Sequence, residues 1–224
     1  MADEPAADSP DAHPAIRAAF QLDGDSDKIT SYYDEWAETY DADVGDERYE
    51  GPAMCVKVLR RCTGLVTRVD VTDPHLTIVD GGCGTGLVGA ALAAAGYEVI
   101  DGVDLSEAMV DAARARGVYR HLEAGVDLTR PPSERWDRAA DAMLLAGVFT
   151  LGHLPGATLE TLMHWVRPGG LLVISTRTQY YDTSDFAEVA DQLVASGVLR
   201  EVLRLMDAPG TEDAGAHYFA FEVA

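Results

Sequence analysis

The chain has 224 residues, 47% of them hydrophobic, enough to bury one sizeable core and little more than one domain. Its formal net charge of -21 repels polyanions and leaves no basic stripe for phosphates, which argues against a nucleic-acid partner. No run approaches the ~20 apolar residues that cross a bilayer, no leader pattern opens the chain, and Cys55, Cys62 and Cys83 lack C-x-x-C spacing, so no membrane, no metal and a cytoplasmic location are expected.

Lys28 and Lys57 are the only lysines, and carboxylates are spread along the whole chain, a pattern that a salt-adapted proteome or an ordinary acidic bacterial protein would produce. Residues 1–25, rich in Ala, Asp and Pro, read as a disordered acidic tail. From Asp27 the pattern turns helical: Tyr33, Trp36, Ala37 and Tyr40 share one face, and Asp34, Glu35, Glu38 and Asp41 take the other. Gly51-Pro52 then breaks the chain and opens a second helix carrying Met54, Val58 and Leu59.

Beyond His75 short apolar runs alternate with helical patterns. Residues 76–79 predict a first strand, 98–103 a second, 119–125 a third, 139–145 a fourth and 170–175 a fifth, with helices from about 86 to 96, after Ser106 and over 158–166. That beat predicts a parallel sheet covered on both faces. After a helix over 185–196, the runs 198–206 and 217–223 are joined by a stretch too short for a parallel crossover, so an antiparallel hairpin is expected.

The run Asp80-Gly81-Gly82-Cys83-Gly84-Thr85-Gly86 places glycines where backbone turns sharply and approaches a ligand. Gly84, Gly86 and Gly89 also satisfy G-x-G-x-x-G, and Asp104 follows at the distance of a dinucleotide fingerprint, so spacing alone leaves an NAD-dependent oxidoreductase open. Asp80 bears on the choice. A carboxylate beside a pyrophosphate is unfavourable, whereas beside the sulfonium and ammonium of S-adenosylmethionine it is favourable.

The "DGGCGTG" and "GVDLS" pair, with "YDEWAETYD" at 33–41, "GVFTLGHLP" at 147–155 and "WVRPGGLLVIS" at 165–175, resembles class I S-adenosylmethionine-dependent methyltransferases. Most similar are the small methyltransferase-like proteins named after the Williams-Beuren syndrome region. The resemblance implies a three-layer α/β/α Rossmann-like fold, with a seven-stranded, mostly parallel sheet in the order 3-2-1-4-5-7-6. It implies one methyltransferase domain over 26–224, comprising a helical lid at 26–70 and a cofactor-binding core at 76–224. For S-adenosyl-L-methionine it implies Gly82, Gly84 and Gly86 along the methionine and ribose, Asp80 near the methionine end and Asp104 on the ribose hydroxyls. Leu105 would pack on the adenine, Asp127 and Leu128 would read its edge, and Ala146 with Gly147 would face the methionine part.

Methyl transfer from a sulfonium needs mainly positioning, and a base only where the acceptor must lose a proton. His153 is the candidate base, and Tyr33 and Tyr40 the candidate aromatic cover over the sulfonium. Arg177 and Tyr181 stand where an acceptor would lie. Residues 144–149 read "LLAGVF" and lack the Asn/Asp-Pro-Pro-aromatic signature of DNA-adenine and protein-glutamine methylation, so a small-molecule acceptor is expected. A non-catalytic protein that binds the same cofactor is the remaining alternative.

Overall fold

The computed structural model describes residues 13–211 and 214–224. Strands β1 (Ile78–Gly81), β2 (Ile100–Val103), β3 (His121–Glu123), β4 (Ala140–Phe149), β5 (Val166–Arg177), β6 (Leu199–Pro209) and β7 (Gly215–Val223) form one sheet, ordered β3-β2-β1-β4-β5-β7-β6. The first five run parallel, and β7 pairs antiparallel with both β5 and β6. This is the expected order, hairpin included.

Alternation along the buried strands sorts side chains to two layers. Ile78, Ile100, Ala142, Leu144 and Val173 pack against Cys55, Val58 and Leu59 of α4 (Gly51–Arg61) and Val88 and Leu92 of α5 (Leu87–Ala94). Val79, Met143, Leu145, Leu172 and Ile174 face the other way, toward α7 (Thr158–Leu162) and α9 (Phe186–Ala195), whose Leu159, Leu162, Phe186 and Ala190 are buried with them. Between β2 and β3 lies α6 (Glu107–Ala115), capped by the Ser106 hydroxyl accepting from the Met109 amide at 3.1 Å.

Two N-terminal expectations are corrected. Residues 1–12 lie outside the described part, but residues 13–25 are not a mobile tail. Pro14–Ala19 forms α1, which buries Ile16 and Ala19, and Phe20 and Leu22 follow them into a cluster with Ile29, Trp36 and Val44. Few large apolar groups suffice there because the cluster supplies the partners that composition could not show. The helix from Asp27 is also not continuous to Tyr40. The Asp25 carboxylate caps α2 (Ser26–Trp36), residues 37–39 form a turn, and α3 (Tyr40–Asp46) begins after it. Trp36 and Tyr40 still meet, with ring centroids 4.8 Å apart.

Candidate active site

The strand-to-helix turn after β1 is held by the tip of β2, whose Val103 carbonyl accepts from the amides of Gly82 and Cys83 at 2.9 and 3.0 Å. Gly82, Gly84 and Gly86 have φ of +68°, +50° and +89°, a region that costs a residue with a Cβ about 1–2 kcal/mol. Their surroundings differ. A Cβ on Gly84 would meet nothing within 4 Å, because that face of the turn opens onto a cleft. One on Gly86 would lie 3.0 Å from the Tyr119 ring and 3.2 Å from the Ala113 backbone, so this glycine serves helix packing and does not line the cleft as expected.

The cleft holds about 680 Å³ of atom-free space, with Gly82, Gly84, Asp104, Leu105, Leu128 and Ala146 among its walls. Asp104 closes β2 with both oxygens engaged: Oδ2 accepts from the Gly84 amide at 2.8 Å and Oδ1 from the Ser106 amide at 2.9 Å. Burial pushes its carboxyl up, and these amide bonds hold it back. Each oxygen keeps a lone-pair direction for a ribose hydroxyl. The bare Gly84 face, the fixed Asp104 carboxylate and the apolar Leu105 and Leu128 walls together fit an adenosyl group.

Asp80 and Asp127 stand elsewhere than expected. Asp80 is fully buried in the sheet under the turn and does not line the cleft; Tyr119 donates to its Oδ2 at 2.6 Å, and its Oδ1 has no hydrogen-bond partner. Burial, only partly offset by the Tyr119 bond, pushes this carboxyl up to about 7. Asp127 turns away between cleft residues Val126 and Leu128. It accepts from Ser26 Oγ at 3.1 Å and from the Thr129 amide and hydroxyl at 2.9 and 2.6 Å, with Arg130 3.3 Å away. Burial would raise its carboxyl, but those bonds and the Arg130 charge hold it below the usual range.

The lid shows a duplication that amphipathic periodicity concealed. Tyr33 and Tyr40 line the cleft, and the aspartate after each ties α2 or α3 to the N-terminus of α6 or to the glycine turn. Asp34 accepts from the Ser106 hydroxyl at 2.5 Å, and Asp41 accepts from the Thr85 hydroxyl at 2.5 Å and pairs with Arg116. The paired Tyr-Asp steps in "YDEWAETYD" were the available signal.

Behind α2 and α3 a second pocket spans about 730 Å³ of atom-free space, part of it open to solvent. Phe20, Trp36, Tyr49, Phe149 and Tyr218 give it aromatic walls, and Arg177 lines it with the guanidinium carbon 4.9 Å from the Phe20 ring centre. The hydroxyls of Tyr49, Thr150 and Thr176 are buried in this lining without a hydrogen-bond partner. Tyr49, Thr150 and Thr176 were not anticipated, since lone hydroxyl residues carry no spacing signature. Tyr181 lies outside this lining. Its ring stacks on Phe219 at 5.6 Å and meets His217 edge-on, because the turn of α8 (Thr178–Thr183) carries it away from Arg177.

The two spaces share Tyr33, Tyr40, Gly147 and His153. His153 Nδ1 lies 2.8 Å from the Leu151 carbonyl, which only accepts, so Nδ1 carries the proton. Nε2 is then the acceptor for the Tyr33 hydroxyl at 2.9 Å. Burial lowers the basicity of this imidazole, and the Leu151 bond partly restores it, so the neutral form prevails at neutral pH. Among the described residues no helix is long and apolar enough to cross a membrane, and no three His, Cys, Asp or Glu side chains converge as a metal site requires.

The sheet order, the glycine turn and the carboxylate at the β2 tip are those of a class I S-adenosylmethionine-dependent methyltransferase. Residues 78–170 match the methyltransferase domain family. Over 179 residues, covering 80% of this chain and 69% of the relative, the chain is 34% identical to methyltransferase-like protein 27 of Homo sapiens. Its fold is similar to a TehB-like methyltransferase from Corynebacterium glutamicum, with TM-score 0.57, 21% identity, and 87% and 97% of the two chains covered. It is also similar to magnesium protoporphyrin IX methyltransferase from Synechocystis, solved with S-adenosylhomocysteine, with TM-score 0.61, 16% identity and coverage of 89% and 99%. The chain belongs to the S-adenosylmethionine-dependent methyltransferases, in the family of methyltransferase-like protein 27. S-Adenosylmethionine is therefore its cofactor, and the nicotinamide alternative falls.

Proposed function

We propose that the chain methylates a small-molecule acceptor bound in the second cavity, with the lid closing over both reactants. The observation that carries this reading is the shared wall: a cavity of about 730 Å³ meets the cofactor cleft at Tyr33, Tyr40, Gly147 and His153. Ile16 and Ala19 of α1, with Phe20, line this space on one side, where a protein or nucleic-acid acceptor would need an open groove.

The cofactor supplies an electrophilic methyl on a good leaving group when bound. Gly82, Gly84 and Ala146 would hold its methionine part by backbone, Asp104 its ribose, and Leu105 with Leu128 its adenine. Asp80 would act from beneath, through the shape of the turn. Tyr33 and Tyr40 exclude water and offer aromatic faces to positive charge. His153 takes the proton where the acceptor must lose one, and Arg177 lies on the acceptor side.

The test follows radiolabelled methyl from S-adenosylmethionine into a deproteinised metabolite extract and, separately, into the macromolecular fraction. Label entering the small-molecule fraction with the wild type and not with Asp104→Ala supports the reading. Label confined to protein or nucleic acid overturns it.

A further inference from the structure

Resting on the reading above, we infer that the acceptor is a phenolic ring compound methylated on oxygen, with Tyr33 relaying its proton to His153 and the buried hydroxyls of Tyr49, Thr150 and Thr176 binding its polar substituents.

Three observations converge on one wall of the molecule. The first is the unpartnered hydroxyl trio. Thr150 and Thr176 are 6% and 2% exposed, and burying a hydroxyl without a partner costs about 1–3 kcal/mol. Three such groups in one lining mark positions where a ligand completes the bonds, since each hydroxyl both donates and accepts.

The second is the aromatic lining. Phe20, Trp36, Phe149 and Tyr218 offer ring faces and edges to a flat molecule, and they bury it without asking for hydrogen bonds in return.

The third is the Tyr33–His153 pair at the junction. Tyr33 Oη donates to His153 Nε2 at 2.9 Å, so the oxygen keeps lone pairs for a second donor, and an acceptor hydroxyl is such a donor. Burial above all disfavours a tyrosinate here, and the facing Tyr40, Asp104 and Tyr32 add to it, so Tyr33 passes a proton and does not hold a charge.

Base strength then selects the acceptor. A neutral amine attacks with its own lone pair and needs no base before the transfer. An aliphatic hydroxyl, near the value of water at about 15.7, lies too far above an imidazole that burial holds below its ordinary value of about 6.5. A phenol at about 10 lies within reach, where general-base assistance contributes roughly 10²–10⁴-fold. In the step, the phenol oxygen bonds to the sulfonium methyl as the methyl–sulfur bond breaks, and the bonding pair stays on sulfur. The phenol proton passes to Tyr33 Oη as the Tyr33 proton passes to His153 Nε2. The products are the methyl ether, S-adenosylhomocysteine and an imidazolium that discharges to solvent.

The experiment first loads the full chain with S-adenosylhomocysteine and titrates catechol, caffeate and resorcinol, read by fluorescence of Trp36, which lines the cavity. The expected result is saturable quenching that weakens roughly tenfold in Thr150→Val/Thr176→Val, by the loss of about one hydrogen bond's discrimination. Turnover with S-adenosylmethionine then gives O-methyl products by mass spectrometry. Tyr33→Phe and His153→Gln lower kcat at least tenfold with KM and S-adenosylhomocysteine affinity held, and raising the pH toward the phenol's own ionisation recovers rate in both variants. Absence of phenol binding to the cofactor-loaded protein overturns the inference, as do transfer to amine analogues only and a kcat indifferent to both substitutions. Radiolabel confined to the macromolecular fraction strikes the underlying small-molecule reading, whereas label entering small molecules other than phenols strikes this inference alone, so the two failures are separable.

Discussion

Gly84 and Gly86 sit two residues apart in one turn, both with positive φ, and substitution by alanine should have opposite consequences. Each Ala pays about 1–2 kcal/mol for left-handed backbone. At Gly84 nothing lies within 4 Å of the new methyl, so stability falls by little more than that, but the methyl enters the cleft. There it occupies space that the cofactor needs, and crowding of about 1–3 kcal/mol weakens binding roughly 5- to 150-fold. At Gly86 the methyl meets Arg116, the Tyr119 ring and the Ala113 backbone at 3.0–3.2 Å, which adds about 1–3 kcal/mol of overpacking and brings the stability loss to about 2–5 kcal/mol. Its folded fraction should still bind S-adenosylhomocysteine within a few-fold of wild type. Urea unfolding gives the first quantity and calorimetric titration the second. Tight cofactor binding by Gly84→Ala, or weak binding by a Gly86→Ala protein of undiminished stability, would refute the assignment of one glycine to the ligand and the other to packing.

Asp104→Asn should weaken S-adenosylhomocysteine by about 1–3 kcal/mol in calorimetry, because a charged acceptor for ribose hydroxyls becomes neutral and half donor. Asp80 has its folded-state pKa raised to about 7 from an ordinary carboxylate value, so the folded protein holds a proton that the unfolded chain has released. Its contribution to stability is therefore fullest below about pH 4 and is lost as pH rises through 7, and urea midpoints between pH 5 and 8 should fall less steeply in Asp80→Asn. Asp41→Ala removes the lid's bonds to Thr85 and Arg116, and amides of α2 and α3 should exchange faster while those of α5 keep their protection. Melting temperatures across a potassium chloride series should climb into the molar range if the carboxylate-rich composition is a salt adaptation; a flat series rejects that reading.

What the sequence made legible followed from periodicity and from motifs whose geometry is local. The strands β1, β4 and β5 are largely apolar runs buried on both faces, β2 is legible from Ile100 and Val103 before the Asp104 turn, and the hairpin follows from a connection too short to cross over. Asp104 was legible for the same reason, because a strand end two residues before the Ser106 cap admits few placements. The misplaced residues depend on contacts distant in sequence. Gly86 reads as a ligand glycine until Tyr119 and Ala113 arrive from another unit, and Asp127 reads as an adenine-edge carboxylate until Ser26 reaches it from α2. Phe20 looks unsupported in an alanine-rich and acidic stretch because its partners Trp36 and Arg177 lie on separate elements.

The duplicated Tyr-Asp step joins these levels. One register of a broken helix places Tyr33 and Tyr40 in the walls of both pockets, and the next residue in each step ties these helices to Ser106 and Thr85 beside the glycine turn. Asp34 binds the Ser106 hydroxyl, whose own amide donates to Asp104, and Asp41 binds Thr85, whose neighbour Gly84 also donates to Asp104. The first anchor therefore reaches the Asp104 carboxylate through one residue and the second through two. Both anchors are already made around a fixed Asp104, with Tyr33 on His153, so a cofactor bound at Asp104 would hold these helices against opening beside the acceptor pocket. Acceptor affinity should on this reasoning rise when S-adenosylhomocysteine is bound and lose that dependence when both anchors are removed, since the tethers are the route by which one site reports to the other.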